Sequence, residues 1–187
     1  MRTIKLTLTL ITLAGVISLV GLVYGTSSKA AANPGVTVNT HWKGYASFSP
    51  TGAGPNVARC GDFPENVEVH FAGSGIDNQG GILTNVVSAC LNTTTQIVKD
   101  LKATDTFTAT GDQIFIESDP FVQVVNPSNC VVSTSHAIGF RVAGGTGKYA
   151  GATGQGRYEI AGNDAACNGV TIPNTVWFEG IFQYQQP

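Results

Sequence analysis

The sequence predicts an all-β domain, a sandwich or a barrel of antiparallel strands, on three observations. No stretch that follows the N-terminal leader shows a helical period. Short runs of β-branched and aromatic residues recur instead, separated by Gly, Pro, Asn and Asp. Within several runs apolar and polar residues alternate, as they do in strands that bury one face. Many short strands between turn residues are typical of sandwiches and barrels.

The N-terminal leader is the one segment with a different character. Arg2 and Lys5 precede an apolar run of 19 residues at positions 6–24. Residues 1–25 are therefore predicted to be a secretory signal helix. The apolar run is also just long enough to cross a bilayer, so an uncleaved membrane anchor through residues 6–24 remains an alternative.

The boundary between leader and domain has two candidate cleavage sites, after Gly25 and after Ala32. Residues 26–35 are a linker of small residues, and residues 36–187 form the β domain. Because the leader directs export, we expect a secreted, periplasmic or extracellular protein. Contact with a membrane is expected only through an uncleaved leader.

The domain divides into ten predicted strands. The segment Thr93–Leu101 could be a short helix or a loop between strands. The predicted strands are Val36–His41, Tyr45–Phe48, Val67–Gly73, Ile82–Leu91, Thr104–Thr110, Gln113–Glu117, Val131–Ser135, Ala137–Ala143, Gly156–Ala161 and Val176–Tyr184.

The charge composition excludes one large class of function. Charged residues make up 12% of the chain and the formal net charge is −2. A protein that binds nucleic acid through its phosphates needs clustered Lys and Arg, so we expect no nucleic-acid partner.

The cysteines indicate disulfide bonds rather than a metal site. The domain contains Cys60, Cys90, Cys130 and Cys167. An even number in an exported chain favours two disulfides, and no C-x-x-C spacing or clustered His suggests zinc or another cofactor. Pairing the predicted strands as hairpins brings Cys60 towards Cys90 and Cys130 towards Cys167. We predict these two bonds over the other two connectivities.

The alternating strands leave one question open, namely which face lies inside. The polar partners of the apolar faces include Glu68, Glu117, Arg141, Glu159 and Glu179. They form a solvated outer surface if the apolar faces point inwards. They line a cavity, where a buried carboxylate could do acid–base chemistry, if the apolar faces form a subunit interface. In the hairpin of the eighth and ninth predicted strands, with its turn near Tyr149, Arg141 is expected to pair with Glu159.

The segment FRVAGGTGKYAGATGQGRY, residues 140–158, is the most distinctive in the chain. It does not match a phosphate-binding loop, because Gly147-Lys148 is followed by Tyr149 and Val142 replaces the first glycine. A tight turn with bulges is the structural interpretation, since glycine accepts a positive φ and lets two backbones approach closely.

Two sequence blocks resemble the barrel families related to allene oxide cyclase. GGTGKYAGATGQG resembles a signature shared by the plant cyclases, the dirigent proteins and many exported bacterial proteins, and DTFTATGDQIF resembles a block of the bacterial set. The stretch around Gly73–Asp77 lacks the Thr-His pair of that set. The resemblance covers about residues 64–184. It implies an antiparallel eight-stranded barrel, often trimeric, with an apolar cavity at one mouth.

Three functions follow from the resemblance and from the residues. The first is binding of a small apolar ligand in the barrel mouth. The second is a cyclase or isomerase reaction on a lipid or phenolic substrate, and the third is a structural or surface-interaction role. No Ser-His-Asp pattern is present, so no catalytic residue is identified. The candidate ligand-binding residues are Trp42, Tyr149, Trp177, Phe178 and Glu117.

Overall fold

The fold was obtained as a computed structural model, which describes residues 36–163 and 173–186. It contains ten strands, one short helix and a single 3-10 turn at Gly147–Tyr149. In chain order the elements are β1 Val36–Gly54, α1 Val57–Cys60, β2 Asn66–Asp77, β3 Gly81–Asn92, β4 Ile97–Phe107, β5 Gln113–Ser118, β6 Phe121–Val125, β7 Val131–Thr134, β8 Ile138–Gly145, β9 Thr153–Asn163 and β10 Asn174–Gln186.

Eight of these strands close into an antiparallel barrel, as predicted. The order around the barrel is β1, β2, β3, β4, β5, β8, β9 and β10, and β10 returns to pair with β1. The short hairpin β6–β7 pairs with the outer ends of β4 and β9, where β5 and β8 have already ended. Closure leaves no unpaired edge along most of the sheet.

The structure differs from the predicted elements at the first strand, at the possible helix and at one additional strand. The first two predicted strands are parts of one continuous strand, β1, which runs through Gly44. A Cβ atom at Gly44 would collide with the Phe178 ring and the Ile76 carbonyl, so this glycine allows close packing instead. The helix alternative for Thr93–Leu101 is wrong, since Ile97 already begins β4. Strand β6 was not predicted.

The apolar faces of the strands point into the barrel. Ile138, Phe140 and Val142 of β8 are buried in the core, whereas Arg141 is exposed. The outer surface therefore carries the alternating polar residues. Among the described residues, no helix is long and apolar enough to span a membrane.

The predicted pairing of Arg141 with Glu159 is wrong. Arg141 lies opposite Gln155 and forms an ion pair with Glu117 of β5, while Glu159 lies opposite Trp177. The register differs because β9 begins at Thr153, three residues earlier than predicted, and the 3-10 turn shortens the hairpin connection.

The predicted disulfide between Cys60 and Cys90 is confirmed. Its two Cα atoms are 5.2 Å apart. We expected this bond to lie at the end of the β2–β3 hairpin. It instead fixes α1 against the outer side of β3. Cys167 lies outside the described residues, so its pairing with Cys130 stays a prediction, as do the leader and the linker of residues 1–35.

Candidate functional site

One half of the barrel interior is filled by the glycine-rich segment. Gly147, with a φ of 55°, turns the chain inwards so that Tyr149 enters the core. The Tyr149 ring lies 5.0 Å from Phe107, 5.6 Å from Phe182 and 5.3 Å from Tyr184, measured between ring centroids. We call this set of four aromatic residues the plug. The segment thus has the structural role that its glycines predicted.

The other half of the interior contains a cavity of about 80 Å³. Two small inward residues, Ala46 on β1 and Ala103 on β4, belong to its lining, whereas aromatic rings fill the plug half. Trp42, Phe140 and Phe178 form its aromatic wall. The cavity is therefore mainly apolar.

Four partly buried apolar lining residues lie at the end of the barrel away from the plug, and we take this end as the mouth of the cavity. Phe48, Leu101, Ile160 and Val176 line it, and all four are of intermediate exposure. They come from four strands at the end of the barrel opposite the plug. A ligand that enters from this end would pass them first.

Two polar side chains, Asn85 and Asp105, reach the cavity floor. They are direct cross-strand neighbours on β3 and β4, and both point inwards. Asn85 is 9% exposed and Asp105 is 2% exposed. The Asn85 Nδ2 atom donates a hydrogen bond to Asp105 Oδ1. The Asn85 Oδ1 atom is buried and has no hydrogen-bond partner in the part of the chain that the structure describes, which is rare for an amide in a protein interior.

The Asp105 carboxyl has an unusual proton affinity for an aspartate. Burial in the barrel raises its pKa to about 7, and the negative charge of nearby Asp77 acts in the same direction. The hydrogen bond from Asn85 opposes this rise. Asp105 therefore titrates near neutral pH, where a carboxyl can both give and take a proton.

Asp77, at the end of β2, differs from Asp105 in that both of its carboxylate oxygens accept hydrogen bonds. Its Oδ2 atom accepts a hydrogen bond of 2.6 Å from the indole Nε1 of Trp42. Its Oδ1 atom accepts from the backbone N–H groups of Gln79, Gly80 and Gly81, at 2.9, 2.7 and 3.2 Å. Asp77 thereby closes the β2–β3 turn and fixes the Trp42 ring in the cavity wall.

Tyr158 completes the polar groups of the cavity lining. Its hydroxyl lies 2.7 Å from the Ser118 Oγ atom. Burial raises the pKa of Tyr158, so the phenol stays protonated at neutral pH. Because its hydroxyl is already paired with Ser118, Tyr158 presents mainly its ring to the cavity.

The five predicted ligand-binding residues are not brought together. Trp42 and Phe178 line the cavity, with ring centroids 4.8 Å apart. Tyr149 belongs to the plug. Trp177 is 53% exposed on the outer surface, and Glu117 also points outwards towards Arg141.

The outer surface also contains the charges considered as possible cavity residues. Arg157 and Glu179 form an exposed ion pair there, and Glu159 is exposed. Glu68 pairs with Arg59 of α1, and hydrogen bonds from Asn56 and Arg59 lower its pKa. The interpretation in which these carboxylates line the cavity is therefore wrong.

Sequence reasoning missed Asn85 and Asp105. The signal was the alternation Leu101, Ala103, Asp105, Phe107, which puts Asp105 on the apolar side of β4.

No family model matches the chain, and no curated protein or solved structure does so.

Proposed function

We propose that this protein is an exported binding protein that holds a small, mainly apolar ligand in the barrel cavity. One observation carries the proposal: an apolar cavity whose floor contains a buried amide oxygen without a partner, Asn85 Oδ1. Such a buried acceptor lowers stability by about 1–3 kcal/mol until a donor reaches it, and a ligand can supply that donor. The Cys60–Cys90 disulfide supports an oxidising compartment.

The size of the cavity limits the ligand. A volume of about 80 Å³ is smaller than the roughly 300–1,000 Å³ of pockets that enclose drug-sized molecules. We therefore expect a ligand with a few carbon atoms, or the end of a longer chain that continues through the mouth. The lining favours an apolar skeleton with one polar group at the Asn85 end.

Titration with a neutral probe, 1-butanol, tests the binding function. The two tryptophans of the chain give an internal comparison, because Trp42 lines the cavity and Trp177 is on the outer surface. We expect the indole N–H resonance of Trp42 to shift with saturation in a ¹H–¹⁵N NMR spectrum, while that of Trp177 stays in place.

A pair of matched variants locates the effect. Ala103→Leu extends a side chain into the cavity and should abolish the shift. Ala143→Leu adds the same atoms on the exposed outer face of β8 and should leave it unchanged. Equal, non-saturating shifts of both tryptophans would remove the support for a binding function.

A second function, proton transfer in a cyclase or isomerase reaction, is favoured by Asp105. A carboxyl that titrates near pH 7 in an apolar cavity suits acid–base chemistry. The resemblance to allene oxide cyclase-like barrels points the same way. The test is deuterium uptake from heavy water by a small ketone such as 2-butanone. Uptake that Asp105→Asn abolishes would favour this function over simple binding.

A third function, surface interaction, is supported by an apolar row on the outer face. Trp177, Tyr45, Ile76 and Ile82 are exposed and are successive cross-strand neighbours on β10, β1, β2 and β3. The resemblance suggests a trimer, and this row is the surface we propose for it. Light scattering of Tyr45→Ser and Trp177→Ser would test it, with a fall in subunit number as the expected result.

A further inference from the structure

The cavity offers hydrogen-bond acceptors but lacks a positive charge. Within residues 36–163 and 173–186, Asn85 Oδ1 has no partner, and the Asp105 carboxyl accepts from one side-chain donor, the amide of Asn85. Among the described residues that line the cavity, none is Lys, Arg or His. The floor is thus built to accept hydrogen bonds from a ligand.

The groups that face Asp105 add to this negative character. Asp77, at the end of β2, contributes a second carboxylate whose oxygens already accept four N–H donors. Asn85 faces Asp105 from β3, and Tyr158 of β9 contributes a protonated phenol. The other strands contribute apolar side chains to the lining. An anionic ligand would be repelled here, whereas a cation would balance the charge.

The wall of the cavity also suits a cation. Trp42, Phe140 and Phe178 present aromatic rings around the floor, and the Trp42 centroid lies 5.7 Å from Phe140 and 4.8 Å from Phe178. The negative face of an aromatic ring attracts an ammonium group, most strongly where water is excluded. The same rings contact the carbon atoms that follow the nitrogen.

We propose that the cavity selects an apolar primary amine in its ammonium form. Two N–H groups donate to Asn85 Oδ1 and to the Asp105 carboxylate, and the carbon chain extends along the aromatic wall towards the mouth. This inference rests on the proposed binding function and specifies the ligand class. It excludes carboxylate ligands and ranks neutral alcohols below amines.

Three probes of equal chain length separate the ligand classes: 1-butylamine, 1-butanol and butyrate. Their affinities are measured from the indole N–H resonance of Trp42 at pH 8, where the amine is protonated. We expect the amine to bind at least about tenfold more tightly than the alcohol, because charge-assisted hydrogen bonds are roughly twice as strong as neutral ones. Butyrate should not bind.

Variants of the floor identify the groups responsible. Asp105→Asn keeps the shape and removes the charge, so it should reduce the preference for amine over alcohol to less than about threefold. Asp62→Asn removes a carboxylate from an exposed loop and should keep the full preference. Thermal unfolding of both variants establishes that each is folded.

The pH dependence of the unmodified protein is a second measurement that needs no variant. Asp105 titrates near pH 7 when the cavity is empty. Amine affinity should therefore rise between about pH 6 and pH 8, as the carboxyl loses its proton, while alcohol affinity stays level.

The outcomes distinguish this inference from the binding function. If butanol binds as tightly as butylamine, or if amine affinity does not rise with pH, the amine inference is overturned and the binding function stands. If butyrate binds best, the charge argument is wrong. If none of the three probes shifts Trp42, both the inference and the binding function fail.

Discussion

The two halves of the barrel interior are built from the same strands yet differ in what fills them. Leu83 faces Phe107 in the plug half, and Asn85 faces Asp105 one inward position further along the same strands. The plug half is filled because the chain folds inwards and inserts the Tyr149 ring. No described segment does this at the other end, where a cavity of about 80 Å³ remains.

This difference separates stability from binding within one barrel. Close packing of aromatic rings stabilises the plug half, where any loss of volume leaves a void. The cavity half contains a void already, together with a carboxyl whose burial is unfavourable in its charged form. Proteins retain such features where they bind or react, and this difference supports the proposal that the cavity half holds the ligand.

Removal of the Tyr149 ring from the plug should have the largest effect on the free energy of unfolding. Tyr149→Ala deletes a ring that is 2% exposed and contacts three others. We expect a loss of about 3–5 kcal/mol in the free energy of unfolding, measured with urea, because large aromatic-to-alanine changes leave cavities. Tyr149→Phe keeps the ring and should cost far less. A similar loss for both variants would mean that the hydroxyl, not packing, stabilises this half.

The buried carboxyl in the cavity half should make the free energy of unfolding depend on pH. The pKa of Asp105 rises from 3.8 to about 7 on folding. Between these values the folded state binds more protons than the unfolded state, so the contribution of Asp105 to stability falls as pH rises and levels off above about pH 7. This shift of about three pKa units corresponds to about 4 kcal/mol.

Comparison with Asp105→Asn isolates this contribution from the other carboxylates. The variant should lack the fall in stability between about pH 4 and pH 7, and it should equal or exceed the parent protein at pH 8. Urea unfolding at several pH values measures the difference. Parallel pH profiles for the two proteins would show that Asp105 does not titrate differently in the folded state.

The sequence contained enough information for the barrel and for part of its interior. Alternation within single strands predicted which residues of β8 point inwards. Two of the expected ligand-binding residues, Trp42 and Phe178, line the cavity, and their role in binding stays a prediction. The Cys60–Cys90 bond followed from hairpin spacing, although Cys60 lies on a helix. Local patterns and short connections carry these features.

The rest depends on where strands begin and on how they pair, which the pattern within one strand does not show. Asp105 was hidden because its strand was predicted to begin at Thr104, so the inward residues Leu101 and Ala103 were not in the pattern. The partner of Arg141 was missed because the 3-10 turn and the earlier start of β9 change the register of β8 against β9, and because Glu117 lies on β5. An inward fold of the chain is a tertiary feature, and strand periodicity does not report it.

Larger side chains in the interior should also distinguish the two halves, with a smaller change in the free energy of unfolding than Tyr149→Ala. Ala152, next to the plug, is 1% exposed, and Ala152→Leu should cost about 1–3 kcal/mol because the added atoms have no space. Ala103→Leu adds the same atoms beside the cavity and should cost clearly less. Urea unfolding of the two variants gives the comparison directly. An equal cost would indicate that the cavity does not accommodate a larger side chain.

Substitutions on the outer surface should have the smallest effects on the free energy of unfolding. Glu117 and Arg141 form a cross-strand ion pair in which the Arg141 side chain is 71% exposed. Solvent screens such a pair, so Glu117→Gln should change the free energy of unfolding by less than about 1 kcal/mol. The same variant should leave the Trp42 resonance and the affinity for 1-butanol unchanged, because Glu117 points away from the cavity. A loss of binding would require the cavity to communicate with the outer face through β5, and the separation between an interior that binds and an exterior that only solvates would then be wrong.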